Sequence, residues 1–188
     1  MRVLQISSEA TPFAKTGGLA DVAGALPDSL ERAGCDCTLV VPAYREVFKK
    51  NLPIQKTDIQ FSVPVGKQNL EATVYSCVLP DQKQKVFLIG NTHCFDRDTL
   101  YGGAEDYADN AERFIFFSRA ALELAARQPH AFDIIHCHDW QTSLVPAYQK
   151  LLYQSWPTLS EARSVLTIHN VAYQGMFWHW DMLLTGFH

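Results

Sequence analysis

The chain has 188 residues, 47% of them hydrophobic and 19% charged, which is ample for one buried core and excludes a disordered polymer. At about 150 residues per domain, the length argues for a single domain spanning residues 1–188. A net charge of −4 argues against a nucleic-acid partner, and no run approaches the ~18 apolar residues that would imply a membrane partner.

Taken in chain order, Val3 to Ser7 reads as a short strand. The segment Glu9 to Gly18 follows as a loop holding Pro12 and the Gly17-Gly18 pair. Leu19, Val22, Ala23, Leu26, Leu30 and Ala33 then recur at helical spacing, with Gly34 as the stop signal. Pro27 inside that run predicts a kink or a split, because proline lacks the N–H and clashes one turn back. Thr38 to Val41 is an apolar run of the kind found in buried parallel strands. These three elements make a βαβ unit.

Residues Ile59 to Val65 and Leu70 to Leu79 alternate loosely around Gly66 to Asn69, which predicts a β-hairpin. Val86 to Ile89 is a further buried strand, and Asn91 to Tyr107 is a long polar segment without periodicity. Loops of that length in compact domains tend to be functional. Asp106 or Asp109 is a candidate cap for a helix whose Phe114, Phe117, Ala121 and Leu124 line one face. Ile134 to His136 reads as a strand, Leu144 to Tyr153 as a helix and Ser164 to Ile168 as a strand. The order implies an α/β fold: a doubly wound, mostly parallel sheet with a β-hairpin insertion.

The apolar stretch behind Arg2 stops at Ser7-Ser8-Glu9, too short for a secretory leader. Five cysteines, an odd number with no C-x-x-C pair, fit neither a disulfide framework nor a zinc knuckle, so a cytoplasmic setting is expected. Phe187-His188 ends the chain just behind Phe177, Trp178 and Trp180, and that aromatic ending reads as a cut.

Ligands of open α/β sheets gather outside the carboxyl ends of the strands, so the residues just after each strand are the candidates. In Lys15-Thr16-Gly17-Gly18, two glycines admit a ligand close to the backbone. The helix start behind them points free N–H groups outward, and Lys15 adds a full charge, a combination that suits a diphosphate. The pattern is neither a P-loop nor G-x-G-x-x-G, and the same residues also describe a plain tight turn. Asp21 complements the helix dipole. In His136-Cys137-His138-Asp139, strand alternation puts both histidines on one face, which opens a metal reading supplemented by His93 or His169. Asp139 beside Trp140 suits a sugar, whose hydroxyls donate hydrogen bonds to the carboxylate and which meets an apolar ring face; Trp140 also suits simple helix packing. His169-Asn170 closes the last strand.

Three of these motifs together are specific. Lys15 to Val22 resembles the N-terminal signature of bacterial glycogen synthases and plant starch synthases. His138-Asp139-Trp140 and Thr167 to Gly175 look like two further motifs of that family, in the same order, and the resemblance covers essentially the whole chain. The resemblance implies the N-terminal half of a GT-B fold, in which two Rossmann-like domains face across a cleft. It implies retaining transfer of glucose from ADP-glucose to the nonreducing end of an α-1,4-glucan such as glycogen, with no cofactor and no essential metal. Carried over by motif, Lys15 and the Gly17-Gly18 backbone meet the donor diphosphate with Asp21 nearby. His169, beside Asn170, approaches the transferred glucose, and Asp139 and Trp140 lie along the acceptor path. Tyr101 is a candidate for glucan stacking and Glu9 a further substrate contact.

Family members carry a second domain of similar size, so the isolated chain is expected to be inactive. Its cleft face, rich in Trp140, Tyr173, Phe177 and Trp178, is expected to favour self-association. Two other readings stay open at this point: a non-catalytic glucan-binding or regulatory module, and a metal-dependent hydrolase built on His136 and His138.

Overall fold

The computed structural model describes residues 1–79 and 84–187. Its first half runs β1 (Arg2–Ile6), α1 (Gly18–Arg32), β2 (Asp36–Pro42), β3 (Ile54–Val65), β4 (Gln68–Cys77) and β5 (Lys85–Gly90). The second half runs α2 (Thr92–Phe95), α3 (Asn110–Ala126), β6 (Ile134–His138), α4 (Val145–Leu152) and β7 (Arg163–Thr167). Short 3-10 turns cover Arg45–Lys49, Trp140–Thr142 and His179–Thr185.

The strands form one sheet in the order β3-β4-β5-β2-β1-β6-β7. Strands β5, β2, β1, β6 and β7 run parallel, and the β3–β4 hairpin extends the β5 edge in antiparallel pairing. This is the doubly wound sheet with a hairpin insertion that the sequence pattern implies. From β1 the chain first builds outward through β2 and later returns to the other side as β6, so the topological switch lies between β1 and β6. The hairpin turn is tighter than the four residues expected: Gly66 and Lys67 alone form it, and Gln68 and Asn69 already pair with Val65 and Pro64.

Strand β1 shows how both faces of the sheet are covered. Val3, Leu4, Gln5 and Ile6 are all buried, although alternate side chains point to opposite faces. Helix α3 is buried far beyond the single face expected. Ile115, Phe116, Leu122 and Ala125 are enclosed as well, because β3 and β5 pack on one side while α4 and the 3-10 turn at His179–Thr185 pack on another. Asp109 holds the N-cap position of α3 without capping it, since its carboxylate is taken by Arg97 at 2.7 Å. Strand β7, at the sheet edge, leaves Val165 and Leu166 exposed. No helix among the described residues is long and apolar enough to cross a membrane.

Of the kink or split expected at Pro27, the split does not occur: α1 runs unbroken from Gly18 to Arg32. Proline removes the N–H that would meet the Ala23 carbonyl one turn back. The buried Gln5 of β1 supplies the missing donor, its Nε2 lying 2.8 Å from the Ala23 oxygen. The helix then stops at Gly34 as its sequence signals. Gly34 adopts φ 87°, its N–H meets the Glu31 carbonyl, and the Cys35 N–H reaches Leu30.

Because the Gln5 Oε1 has no partner among the described residues, losing it offsets part of losing the Ala23 bond. Gln5→Leu is therefore expected to destabilise the chain by only about 1 kcal/mol. That corresponds to a fall of about 2–4 °C in Tm for a chain of this size. In a Pro27→Ala background the helix recovers its own donor, and thermal melting should show a smaller loss.

Candidate active site

The chain segments that follow β1, β6 and β7 converge at the switch point and line a cleft of about 620 Å³. Glu9, Thr16, Gly17 and Gly18 come from the first, Asp139, Trp140 and Gln141 from the second. His169, Asn170 and Tyr173 come from the third, and Tyr101 with Asp106 close the cleft from the long polar segment before α3. All the candidate substrate contacts except Lys15 and Asp21 line this cleft, and the candidate metal ligands His93, His136 and His138 do not. Those two stand beside it, with the Lys15 ammonium 2.6 and 2.7 Å from the Asp21 carboxylate oxygens in an exposed pair.

Glu9 is almost completely buried and holds the loop before α1 in place. Its carboxylate accepts hydrogen bonds from the Thr16 N–H, the Thr16 hydroxyl at 2.7 Å and the Gly17 N–H at 3.3 Å. The Tyr101 hydroxyl donates a fourth bond at 2.7 Å. Burial, with Tyr44 and Glu9 close by, pushes the Tyr101 phenol well above its ordinary range, so it stays a donor. Thr16 was not singled out by the sequence reading, although it lies between two residues that were.

The chain bends at Thr16 and Gly17 without calling on glycine's special conformations. Gly17 is extended at φ −150°, a conformation open to any residue, and Gly18 is not among the positive-φ glycines. A Cβ built on either would meet nothing within 4 Å. Neither conformation nor packing requires glycine at these two positions. Among the described residues no side chain caps the start of α1.

Asp139 is the one described non-glycine residue with positive φ (56°), a conformation that costs of order 1–3 kcal/mol. The geometry lets it join two strand ends: its N–H meets the Thr167 carbonyl at 2.9 Å, and its Oδ1 accepts the His169 N–H at 2.7 Å. Trp140 packs edge-on against Phe114 at 5.0 Å and Phe177 at 5.3 Å. It also borders a second, apolar groove of about 460 Å³. Gly175, at φ 62°, permits this packing, since a Cβ there would lie 2.8 Å from the indole. Asn170 turns its Oδ1 to the Ala172 N–H.

His136 and His138 share a face, as alternation predicts, with ring centroids 4.2 Å apart. The His136 Nε2 lies 2.7 Å from the Thr167 hydroxyl. Among the described residues no group of three or more His, Cys, Asp or Glu side chains is arranged to hold a metal ion. Burial, reinforced by His136 and His169, lowers the His138 pKa to about 3.

Two predictions follow from these contacts. Glu9→Gln places an amide where four donors converge, and is expected to destabilise the chain by about 1.5–3 kcal/mol in urea unfolding. Amide exchange at Thr16 and Gly17 should accelerate in the same variant. The second concerns pH. Folded His138 stays neutral while the unfolded side chain protonates below its ordinary value of 6.5, so its contribution is whole above 6.5 and declines toward about 3. The slope reaches about 1.4 kcal/mol per pH unit. Melting temperature should fall more steeply with acidification in the wild type than in His138→Asn.

The starch synthase catalytic domain family matches residues 2–188 of this chain. Among curated proteins, the glycogen synthase of Thermodesulfovibrio yellowstonii is 40% identical over 200 residues, covering 100% of this chain and 40% of that protein. Glycogen synthase 2 of Geobacter metallireducens is 42% identical over 178 residues, covering 94% of this chain and 36% of that protein. Among solved structures, the catalytic domain of starch synthase IV from Arabidopsis thaliana, bound to ADP and acarbose, aligns with a TM-score of 0.88 at 31% identity. That alignment covers 99% of this chain and 37% of the other. The chain thus spans 36–40% of the length of the two curated relatives.

Proposed function

This chain belongs to the starch synthase catalytic domain family, and on that premise we propose that it forms one wall of a glucosyltransferase site. The reaction is retaining transfer of glucose from ADP-glucose to the nonreducing end of an α-1,4-glucan. The observation that carries this reading is the open start of α1 behind Gly17 and Gly18, two glycines that neither φ nor packing demands. An uncapped helix start with small residues before it suits a diphosphate. The relatives named glycogen synthase and the starch synthase structure with bound ADP support the same donor.

In this mechanism the diphosphate lies against the α1 N-terminus. Lys15 exchanges its exposed partner Asp21 for the diphosphate, whose β-phosphate gains negative charge as the glycosidic C–O bond breaks. Glu9 acts by holding the Thr16 and Gly17 amides in position, and Tyr101 by fixing Glu9. His169 stands at the transferred glucose, with Asp139 and Trp140 toward the acceptor.

Transfer requires a second wall. An open cleft leaves one face of the donor in water, where a unit charge pair at about 4 Å is worth roughly 1 kcal/mol, against several in a closed site. The orientation of the reactants by closure is lost as well.

Radiolabelled ADP-glucose with glycogen as acceptor tests the proposal in two arms. The 188-residue chain alone should fall more than tenfold below a full-length glycogen synthase, and turnover within tenfold would defeat the two-wall argument. In a chimera, this chain replaces the matching part of the Thermodesulfovibrio yellowstonii enzyme. There Lys15→Ala should lower turnover on the order of 100- to 1000-fold, about 2.7–4 kcal/mol, with partial recovery in Lys15→Arg. Near-normal turnover of Lys15→Ala would remove Lys15 from the mechanism.

A further inference from the structure

A neutral imidazole has one N–H and one bare nitrogen, and a hydrogen bond at one nitrogen decides what the other offers. His138 is fully buried, and its Nδ1 lies 2.9 Å from the Nε2 of His169. The remaining nitrogen, His138 Nε2, is buried with no partner among the described residues. The backbone of His138 is pinned independently, because the Thr142 hydroxyl bridges its N–H at 2.7 Å and its carbonyl at 2.8 Å. The backbone of His169 is pinned by Asp139. Both backbones are therefore held, and the 2.9 Å contact between the rings leaves the proton placement to decide.

Placing the His138 proton on Nε2 would strand an N–H donor in the interior. Placing it on Nδ1 spends that proton on His169 and leaves only a bare lone pair unmatched. Buried orphan N–H groups are the rarer of the two, so the second arrangement is favoured. His136 makes no hydrogen bond to His138 among the described residues: its Nε2 is engaged with Thr167, and His138 Nε2 has no partner. Burial between His136 and His169 keeps His138 neutral, so it has one proton to place.

We infer that His138 is a positioning residue: by donating from Nδ1 to the Nε2 of His169, it fixes neutral His169 as the Nδ1–H tautomer. His169 then presents a donor to the cleft it lines. It can hold a hydroxyl or phosphate oxygen of a ligand, and it cannot act as a general base while the pair is intact. What that donor serves rests on the glucosyltransferase reading; the tautomer does not.

Long-range proton–nitrogen correlation spectra of the ¹⁵N-labelled chain, recorded above neutral pH, read the tautomer directly. The wild type should show His169 as a single form with Nδ1 protonated and Nε2 bare. A wild-type spectrum with His169 protonated at Nε2, or a mixture, would overturn the inference without any variant. His138→Leu should release His169 to a majority of the Nε2–H form favoured by unconstrained imidazoles. His138→Asn, whose side-chain amide stands close to the lost Nδ1, should restore the Nδ1–H form. A folded His138→Leu chain that keeps the wild-type tautomer would equally overturn it, and if that variant fails to fold, the wild-type and His138→Asn spectra decide. Addition of ADP separates the two claims: unmoved His169 signals alongside the Nδ1–H tautomer would count against the cleft reading and leave the positioning role standing.

Discussion

The site depends on one buried carboxylate. Glu9 lies three residues beyond the end of β1, where burying an ionised side chain is costly unless donors surround it. Four donors do so, and they come from separate parts of the chain: two backbone amides and a hydroxyl just before α1, and the phenol of Tyr101. Charge-assisted bonds of this kind are stronger than neutral ones. They fix the α1 N-terminus toward the cleft and draw Tyr101 inward, where its ring meets Phe114 and Trp140. The same charge thus sets the floor of the cleft and the position of one wall.

The segment that brings Tyr101 to Glu9 has little regular structure, and cations hold it instead. Arg97 reaches the Asp109 carboxylate and the His93 carbonyl. Arg113, fully buried in α3, donates 2.6 Å bonds to the Cys94 carbonyl and the Asn110 side chain, with the Tyr107 ring at 5.1 Å. A guanidinium taken out of water in this way is worth retaining only where its donors find acceptors in fixed places. Here those acceptors anchor the segment to the core on either side of Tyr101. The same economy of polar groups operates in α1, where Gln5 of the sheet serves the carbonyl that Pro27 leaves unpaired.

The histidines extend this pattern to the other side of the switch point. Asp139 and Thr142 tie down the ends of β6 and β7, and the three rings stack in the space between. What a metal reading takes for ligands is a set of imidazoles engaged with protein groups, with His136 facing Thr167 and His138 facing His169. Burial lowers the pKa of both His136 and His138, the two rings set behind the cleft.

Local chemistry alone determined much of this protein. Apolar runs made β1, β2 and β5, Gly34 ended α1, and the strand–helix alternation dictated a doubly wound sheet whose carboxyl ends hold the polar residues. Alternation also put His136 and His138 on one face. Other features depend on partners far away in sequence, and only the tertiary structure decided them. Considered by itself Pro27 kinks or splits a helix, whereas α1 runs unbroken with Gln5 serving the Ala23 carbonyl. Asp109 is a cap by position, yet Arg97 has the stronger claim on its carboxylate. Glu9 and Tyr101 look like separate ligand contacts until folding joins them across 92 residues, and His138 looks like half a metal site until His169 arrives beside it. Periodicity and turn chemistry act over a few residues, whereas the pairing of a buried polar group depends on whatever the fold brings within about 3 Å of it.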